Sequence, residues 1–386
     1  MRKWLAEVFY WDWKVFATLL YWNLRYFYWK RALIIFGVAL ILLLHATLSV
    51  VLRLLDEVFY PAYRKTPIRE PVFIISNPRS GTTYMHRLLC LDEKRFTYFL
   101  LYHTFLPSVL FFRFILVLKR LDKKMNWPLR RFFEKVEDRV FEGWKDIHPM
   151  GFERSEEDEG LFVLSLMSPA IGLVFPWMKK IDALWIADEL PAHKKARMMA
   201  YYRNTIQRFL YAWGPDKVFL SKNVISTGRM GMLLETFPDA RIIYPVRHPY
   251  KTIPSITSMF AAPWKLYAPD IPENSPEYRN WGMLSIRFYQ HFFRMMPHLD
   301  AERFYHVRYK DFVKNPMDTI LDIYRTFGWK PDEDFVERLR NQCNRSRQYR
   351  SKHDYTLEQY GYEKAVIEEE LREVFEYFRF KKDGVS

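Results

Sequence analysis

A chain of 386 residues is long enough for one large α/β domain with an appendage. Its two cysteines, Cys90 and Cys343, leave no room for a disulfide framework and favour a reducing compartment, and no internal repeat or low-complexity tract points to a solenoid or a disordered chain. Lys and Arg number 59 against 45 Asp and Glu, a formal charge of +14 that suits an anionic ligand, an anionic membrane surface or nucleic acid.

The first segment, Trp4 to Trp29, is crowded with Trp, Tyr and Phe but interrupted by Glu7, Asp12, Lys14 and Arg25. That pattern predicts an amphipathic helix lying in a membrane interface rather than a span. Ala32 to Leu52 carries no formal charge and is long enough to cross a bilayer core, so a transmembrane helix is expected there; a buried core helix is the competing reading. The run stands too far from the start for a cleaved signal peptide. Arg2, Lys3, Lys14, Arg25, Lys30 and Arg31 precede it, and Arg53, Arg64, Lys65 and Arg69 follow, a slight bias toward an inside N-terminus. A true span then places the downstream domain on the far side, in a lumenal type II arrangement. A re-entrant helix leaves it facing the cytoplasm, which is the expectation. Residues 1–66 are read as a membrane-associating region and 67–386 as one domain.

Four β-type runs follow: Val72–Ser76, Val218–Ser221, Arg241–Val246 and Phe304–Arg308. Helical patterns separate them, which predicts an α/β fold with a mainly parallel sheet covered by helices. The first run stops at Asn77–Pro78–Arg79–Ser80–Gly81–Thr82–Thr83, and an amphipathic stretch begins at once. Strand, turn and helix in that order make an anion site, because a helix N-terminus offers unpaired N–H groups and a positive dipole end. Gly81 permits close backbone approach, and Arg79 adds a fork suited to phosphate or sulfate oxygens. The lysine of a Walker A loop is missing, since Thr82 follows Gly81, so a metal-dependent NTPase is disfavoured. Tyr98–Leu118 is very apolar, but Pro107 and Arg113 interrupt it, which predicts a helix pair facing lipid or substrate rather than a second span. Ligands in open parallel sheets bind beyond the carboxyl ends of strands. That rule gathers the Asn77–Thr83 loop, Lys222 and Arg247, each directly after a predicted strand. Ser255, eight residues beyond Arg247, can converge with it on one phosphate.

The two motifs together, PRSGTT after a strand and R-H-P with a serine eight residues on, resemble the sulfotransferase family. The stretch KVFLSKNVISTGRMGMLLETFPDARIIYPVRHP is similar to the family's strand, lysine, helix, F-P-D-A, strand and arginine. FYHVRYKDFVKNPMDTILDIYRTFGW resembles its later Y-x-D segment, and HPMGFERSEEDEGLF the acidic segment of a large, mainly bacterial branch. The resemblance covers about residues 70–380 and implies a P-loop-like fold using 3′-phosphoadenosine-5′-phosphosulfate as co-substrate, with no metal. Carried over, Arg79, Ser80, Gly81, Thr82 and Thr83 would bind the 5′-phosphosulfate, and Arg247 and Ser255 the 3′-phosphate. Lys222 would meet negative charge developing in transfer, although Asn223–Val224 replaces the family's usual Ser, Thr or Asp and Pro. No carboxylate stands where some members keep a glutamate, at Thr97–Leu100, so the base must lie elsewhere. Glu157 and Glu159 are the first candidates, then His148 and His103; adjacent acids on a helix point in different directions. Arg345, Arg347, Arg350 and Lys352 form a late basic cluster. The expected acceptor is a hydroxyl or amine reached from the membrane, such as a lipid or glycolipid, with no nucleic acid and the oligomeric state left open. A kinase-like nucleotide enzyme and a non-catalytic, membrane-docked anion-binding protein are the alternatives.

Overall fold

The computed structural model describes residues 2–128, 130–131, 157–346 and 355–381. The chain opens with α1 (Arg2–Val8), α2 (Trp13–Arg25) and α3 (Trp29–Phe59). The α/β part then runs β1 (Val72–Ile74), α4 (Thr82–Leu89), β2 (Phe96–Thr97), α5 (Leu101–Phe105), α6 (Val109–Lys124), α7 (Glu159–Leu164) and α8 (Ala192–Trp213). It continues with β3 (Val218–Lys222), α9 (Met230–Thr236), β4 (Arg241–Val246), α10 (Pro249–Ala261), α11 (Trp264–Tyr267), α12 (Pro276–Met295) and β5 (Phe304–Arg308). Shorter helices, beginning with α13 (Tyr309–Lys314) and α14 (Pro316–Thr326), close the described chain.

The five strands are all parallel and ordered β2-β3-β1-β4-β5, so β1 lies at the centre between β3 and β4. The four expected β-runs are β1, β3, β4 and β5. Phe96–Thr97, the edge strand β2, is too short to carry a period-two pattern. Successive side chains of β1 serve opposite layers. Val72 and Ile74 pack with Met85, Leu88 and Leu89 of α4 and with Ile320 and Ile323 of α14. Phe73 and Ile75 join the other core, with Phe209 of α8 and Tyr289 and Phe292 of α12. Burial on both faces explains why these strands read as continuous apolar runs.

The N-terminal helices are built into this core: Tyr10, Trp11, Val15 and Leu19 are buried in the same cluster as Phe73 and Ile75. The apolar run 32–52 lies inside α3, and Arg31, Ile35, Leu42, Ser49, Arg53 and Asp56 form its buried stripe. Arg53, fully buried, donates to the Pro107 carbonyl at 2.9 Å, Thr205 Oγ1 at 2.8 Å and Asn204 Oδ1 at 3.0 Å. Asp56, equally buried, pairs with Arg208 at 2.9 Å and accepts the N–H groups of Val109 and Leu110 at the start of α6. A carboxylate there satisfies otherwise orphaned donors and meets the positive helix end. The Tyr98–Leu118 run is broken at Leu106–Ser108 into α5 and α6, the expected helix pair.

Candidate active site at the strand ends

The chain leaves β1 and turns through the Asn77–Gly81 loop into α4. Two residues of that turn are left-handed, Arg79 at φ 70° and Gly81 at φ 82°. Gly81 is needed twice over: a Cβ there would lie 2.8 Å from the Tyr309 ring. Arg79 has no such freedom, and its unusual backbone is held by neighbours. Arg247 Nη1 donates to its carbonyl at 2.8 Å, and its own Nε donates to Ser255 Oγ at 3.2 Å. Ser80 is fully buried, yet among the described residues its hydroxyl has no hydrogen-bond partner. A buried hydroxyl left unmatched costs about 1–3 kcal/mol, so a water or a ligand is expected to satisfy this one.

The end of β4 supplies the second half. His248 caps α10, its Nδ1 accepting the Tyr250 N–H at 3.2 Å, and Pro249 takes the first helical position. Arg247 thereby emerges beside the loop. Its guanidinium stacks over Tyr309 at 4.7 Å, and among the described residues no carboxylate pairs with it. Burial, and then the neighbouring Arg79 charge, push its pKa below the ordinary arginine value. A half-buried cation pressed against a second cation is a site for an anion. The Tyr289 hydroxyl donates to the Arg247 carbonyl at 2.5 Å and fixes the backbone there.

Lys222 ends β3, level with Ile74 of β1. Its side chain is fully buried, and Nζ lies 3.1 Å from Glu157 Oε1 and 3.3 Å from Thr83 Oγ1. Glu157 keeps 24% of its side chain exposed, whereas Lys222 keeps none. Of the four consecutive acids Glu156 to Glu159, the three described ones, Glu157, Asp158 and Glu159, have separate partners. Asp158 accepts from Ser221 Oγ at 2.9 Å and Asn223 Nδ2 at 2.7 Å, the residues on either side of Lys222, and also from the Tyr202 hydroxyl. Burial raises its pKa to about 6, against the pull of those three hydrogen bonds. Asn223 also caps the following turn, its Oδ1 accepting the Ser226 N–H at 3.2 Å, so the departure from the family's loop residues is met by a local cap. Glu159 is held bidentate by buried Arg229, at 2.6 and 2.8 Å.

Of the expected site residues, the fold gathers Arg79, Ser80, Gly81, Thr82 and Thr83 with Arg247 and Ser255, and brings Lys222 and Glu157 to the same strand ends. Glu159 is set apart because both its oxygens are occupied by Arg229. His103 is also set apart, buried among Phe99, Phe209 and Trp213 with its Nδ1 accepting the Leu100 N–H at 2.9 Å. His148 lies outside the described residues, as do Arg347, Arg350 and Lys352. Three neighbours had no assigned role. Asp158 clamps the Lys222 loop, Tyr309 backs Gly81 and Arg247, and His86 is buried beside Lys222. Burial, then the Lys222 charge, bring the His86 pKa down to about 3. The strand-end position of Tyr309, directly after β5, was the available signal for that residue.

The Glu159–Arg229 pair allows a stability prediction. Glu159→Ala leaves Arg229 buried without a counter-charge and should destabilise the fold by about 3–5 kcal/mol. A denaturant titration checks this, and Glu159→Leu combined with Arg229→Met should recover much of the loss.

Comparison with known proteins agrees with this fold. The chain is 24% identical over 335 residues to the omega-hydroxy-beta-dihydromenaquinone-9 sulfotransferase Stf3 of Mycobacterium bovis, covering 81% of this chain and 76% of that one. The Mycobacterium tuberculosis protein of the same name matches equally. Among solved structures, sulfotransferase STF9 from Mycobacterium avium superposes with a TM-score of 0.69 at 19% identity, covering 84% of this chain and 80% of that one. STF1 from Mycobacterium tuberculosis gives 0.64 at 21% identity, covering 83% and 82%. The profile of the sulfotransferase family matches residues 71–334, from the start of β1 past β5, and the chain belongs to that family.

Proposed function

We propose that the chain transfers a sulfuryl group from 3′-phosphoadenosine-5′-phosphosulfate to the hydroxyl of a membrane-resident lipid. The observation that carries this reading is the meeting of Lys222, Glu157 and Thr83 at the end of β1, within one loop of the Arg79–Arg247–Ser255 cluster. When bound, the donor supplies an activated sulfuryl group and leaves as adenosine 3′,5′-bisphosphate. The residues fit its two anionic ends: the unmatched Ser80 hydroxyl and the first turn of α4 suit the 5′ side, and Arg247 and Ser255 the 3′-phosphate. Lys222 stands where negative charge grows on the transferring group, in a buried setting that strengthens its effect. Glu157 is the group placed to take the proton of the acceptor hydroxyl.

The lipid acceptor is supported from two directions. Glu157 directly precedes Asp158 and α7, and α7 packs against α3, the helix with the long exposed apolar surface. The mycobacterial relatives bear names that give them a hydroxylated isoprenoid quinone as substrate. Labelled sulfate transfer from the donor to a total lipid extract tests the reading, with Lys222→Ala as control. A soluble glycan as the sole labelled product overturns the lipid acceptor. Thermal stabilisation by ATP-Mg but not by adenosine 3′,5′-bisphosphate overturns the donor.

A further inference from the structure

The apolar run of α3 has the length and composition of a bilayer span, but its placement in the fold forbids one. Arg31, near its start, pairs with Asp270 at 2.8 Å, and Asp56, near its end, pairs with Arg208 at 2.9 Å. Both partners belong to the same α/β domain. Arg31 and Asp56 are separated by about 37 Å at ~1.5 Å per residue, more than the ~30 Å hydrocarbon core. Between them Ile35, Leu42 and Ser49 face the protein. A helix tied to one domain along its whole length cannot cross a bilayer unless the domain crosses with it, buried charges included.

The other face of α3 is apolar and bare. Leu33 is 64% exposed, Phe36 70%, Ile41 64% and Leu44 63%. The helices packed against α3 add exposed apolar side chains of their own: Trp13 and Tyr21 on α2, and Phe114 and Val117 on α6. Trp and Tyr are the side chains that favour the headgroup level. Exposed Lys14, Arg25, Lys30, Lys123 and Lys124 stand on the same three helices, and cations there suit anionic headgroups.

We infer that α3 lies in the plane of one leaflet, and that α2, α3 and α6 form a monotopic docking face for an anionic lipid bilayer. Both ends of α3, and the whole catalytic domain, then sit on one side of the membrane. The site faces the leaflet from which its acceptor comes. This deepens the proposed lipid sulfotransferase reading and rests on it only for the acceptor.

The test uses the full chain added to vesicles of 70% phosphatidylcholine and 30% phosphatidylglycerol. The protein should float with the vesicles, and Phe36→Lys with Leu44→Lys should reduce the bound fraction by at least about tenfold. Stabilisation of that variant by adenosine 3′,5′-bisphosphate shows that it is folded. The same stabilisation, measured on the unsubstituted chain, reports on the donor site independently of membrane binding. Lys30→Cys and Ala62→Cys, made singly, bracket α3; the native Cys90 and Cys343 are buried. In sealed vesicles from the expression host, turned cytoplasmic side out, a membrane-impermeant maleimide should label both positions. Labelling of only one would show a span and overturn the inference. Failure of the unsubstituted chain to float would overturn it too, as would a stable dimer that the lysine substitutions dissociate, since a second copy would then cover the face.

Discussion

Glu157→Gln should lower kcat by about 10²–10⁴-fold, the range for loss of a positioned proton acceptor, while adenosine 3′,5′-bisphosphate binds with affinity within a few-fold of the unsubstituted chain. Glutamine keeps an oxygen for Lys222, so the local packing survives and only the proton-accepting capacity is lost. Lys222→Ala should cost about 10²–10³-fold in kcat by removing charge stabilisation from the transfer itself. The two losses should be far from additive, because the side chains lie 3.1 Å apart and, in the proposed reaction, act on one transition state. Initial rates at saturating donor, set beside nucleotide titrations, separate the roles. A purely structural pair would behave differently: Glu157→Gln would lower the melting temperature and leave kcat unchanged. Glu159→Gln supplies the contrast, since Glu159 is bound to Arg229 and should affect stability more than rate.

Much of this site was legible before any coordinates. The strands were visible because both faces of the sheet are covered, which makes β3 and β4 continuous apolar runs. The turn from β1 into α4 was visible because Ser, Gly and Thr between an apolar run and an amphipathic one mark a strand–turn–helix junction. The choice within the run of four adjacent acids, Glu156 to Glu159, was not visible. Glu157, Asp158 and Glu159 differ by one residue in position, and their partners, Lys222, Ser221 with Asn223, and Arg229, come from a strand and a turn far along the chain. Nothing local distinguishes them. The membrane segment shows the same limit. A helix that is apolar all round reads as a span whether its two faces meet lipid or whether one meets protein. Arg31 and Arg53 counted as flanking charges in the orientation argument, yet both are buried in contacts with the domain. Charge counting across α3 therefore carries little weight for topology.

Arg247→Ala should reduce affinity for adenosine 3′,5′-bisphosphate by about 10–150-fold, the equivalent of one charge-assisted hydrogen bond worth ~1.5–3 kcal/mol. The substitution has two effects, and they act together. It removes the cation that lacks a carboxylate partner among the described residues, and it frees the Arg79 carbonyl that Arg247 holds at 2.8 Å. Arg79 sits at φ 70°, a conformation that persists only while its surroundings hold it, so the 5′ side of the site should loosen as well. Arg247→Lys separates the effects. Lysine keeps the charge but lacks the planar fork and the flat face that lies over Tyr309, so affinity should fall to an intermediate value rather than recover. Calorimetric titration of the three proteins, with Arg79→Ala alongside, decides the matter. Undiminished nucleotide affinity in both Arg79→Ala and Arg247→Ala would remove the basis for a two-phosphate donor. Loss in Arg247→Ala with full recovery in Arg247→Lys would instead reduce the arginine to a point charge and take from the stacked Arg247–Tyr309 pair its part in shaping the loop.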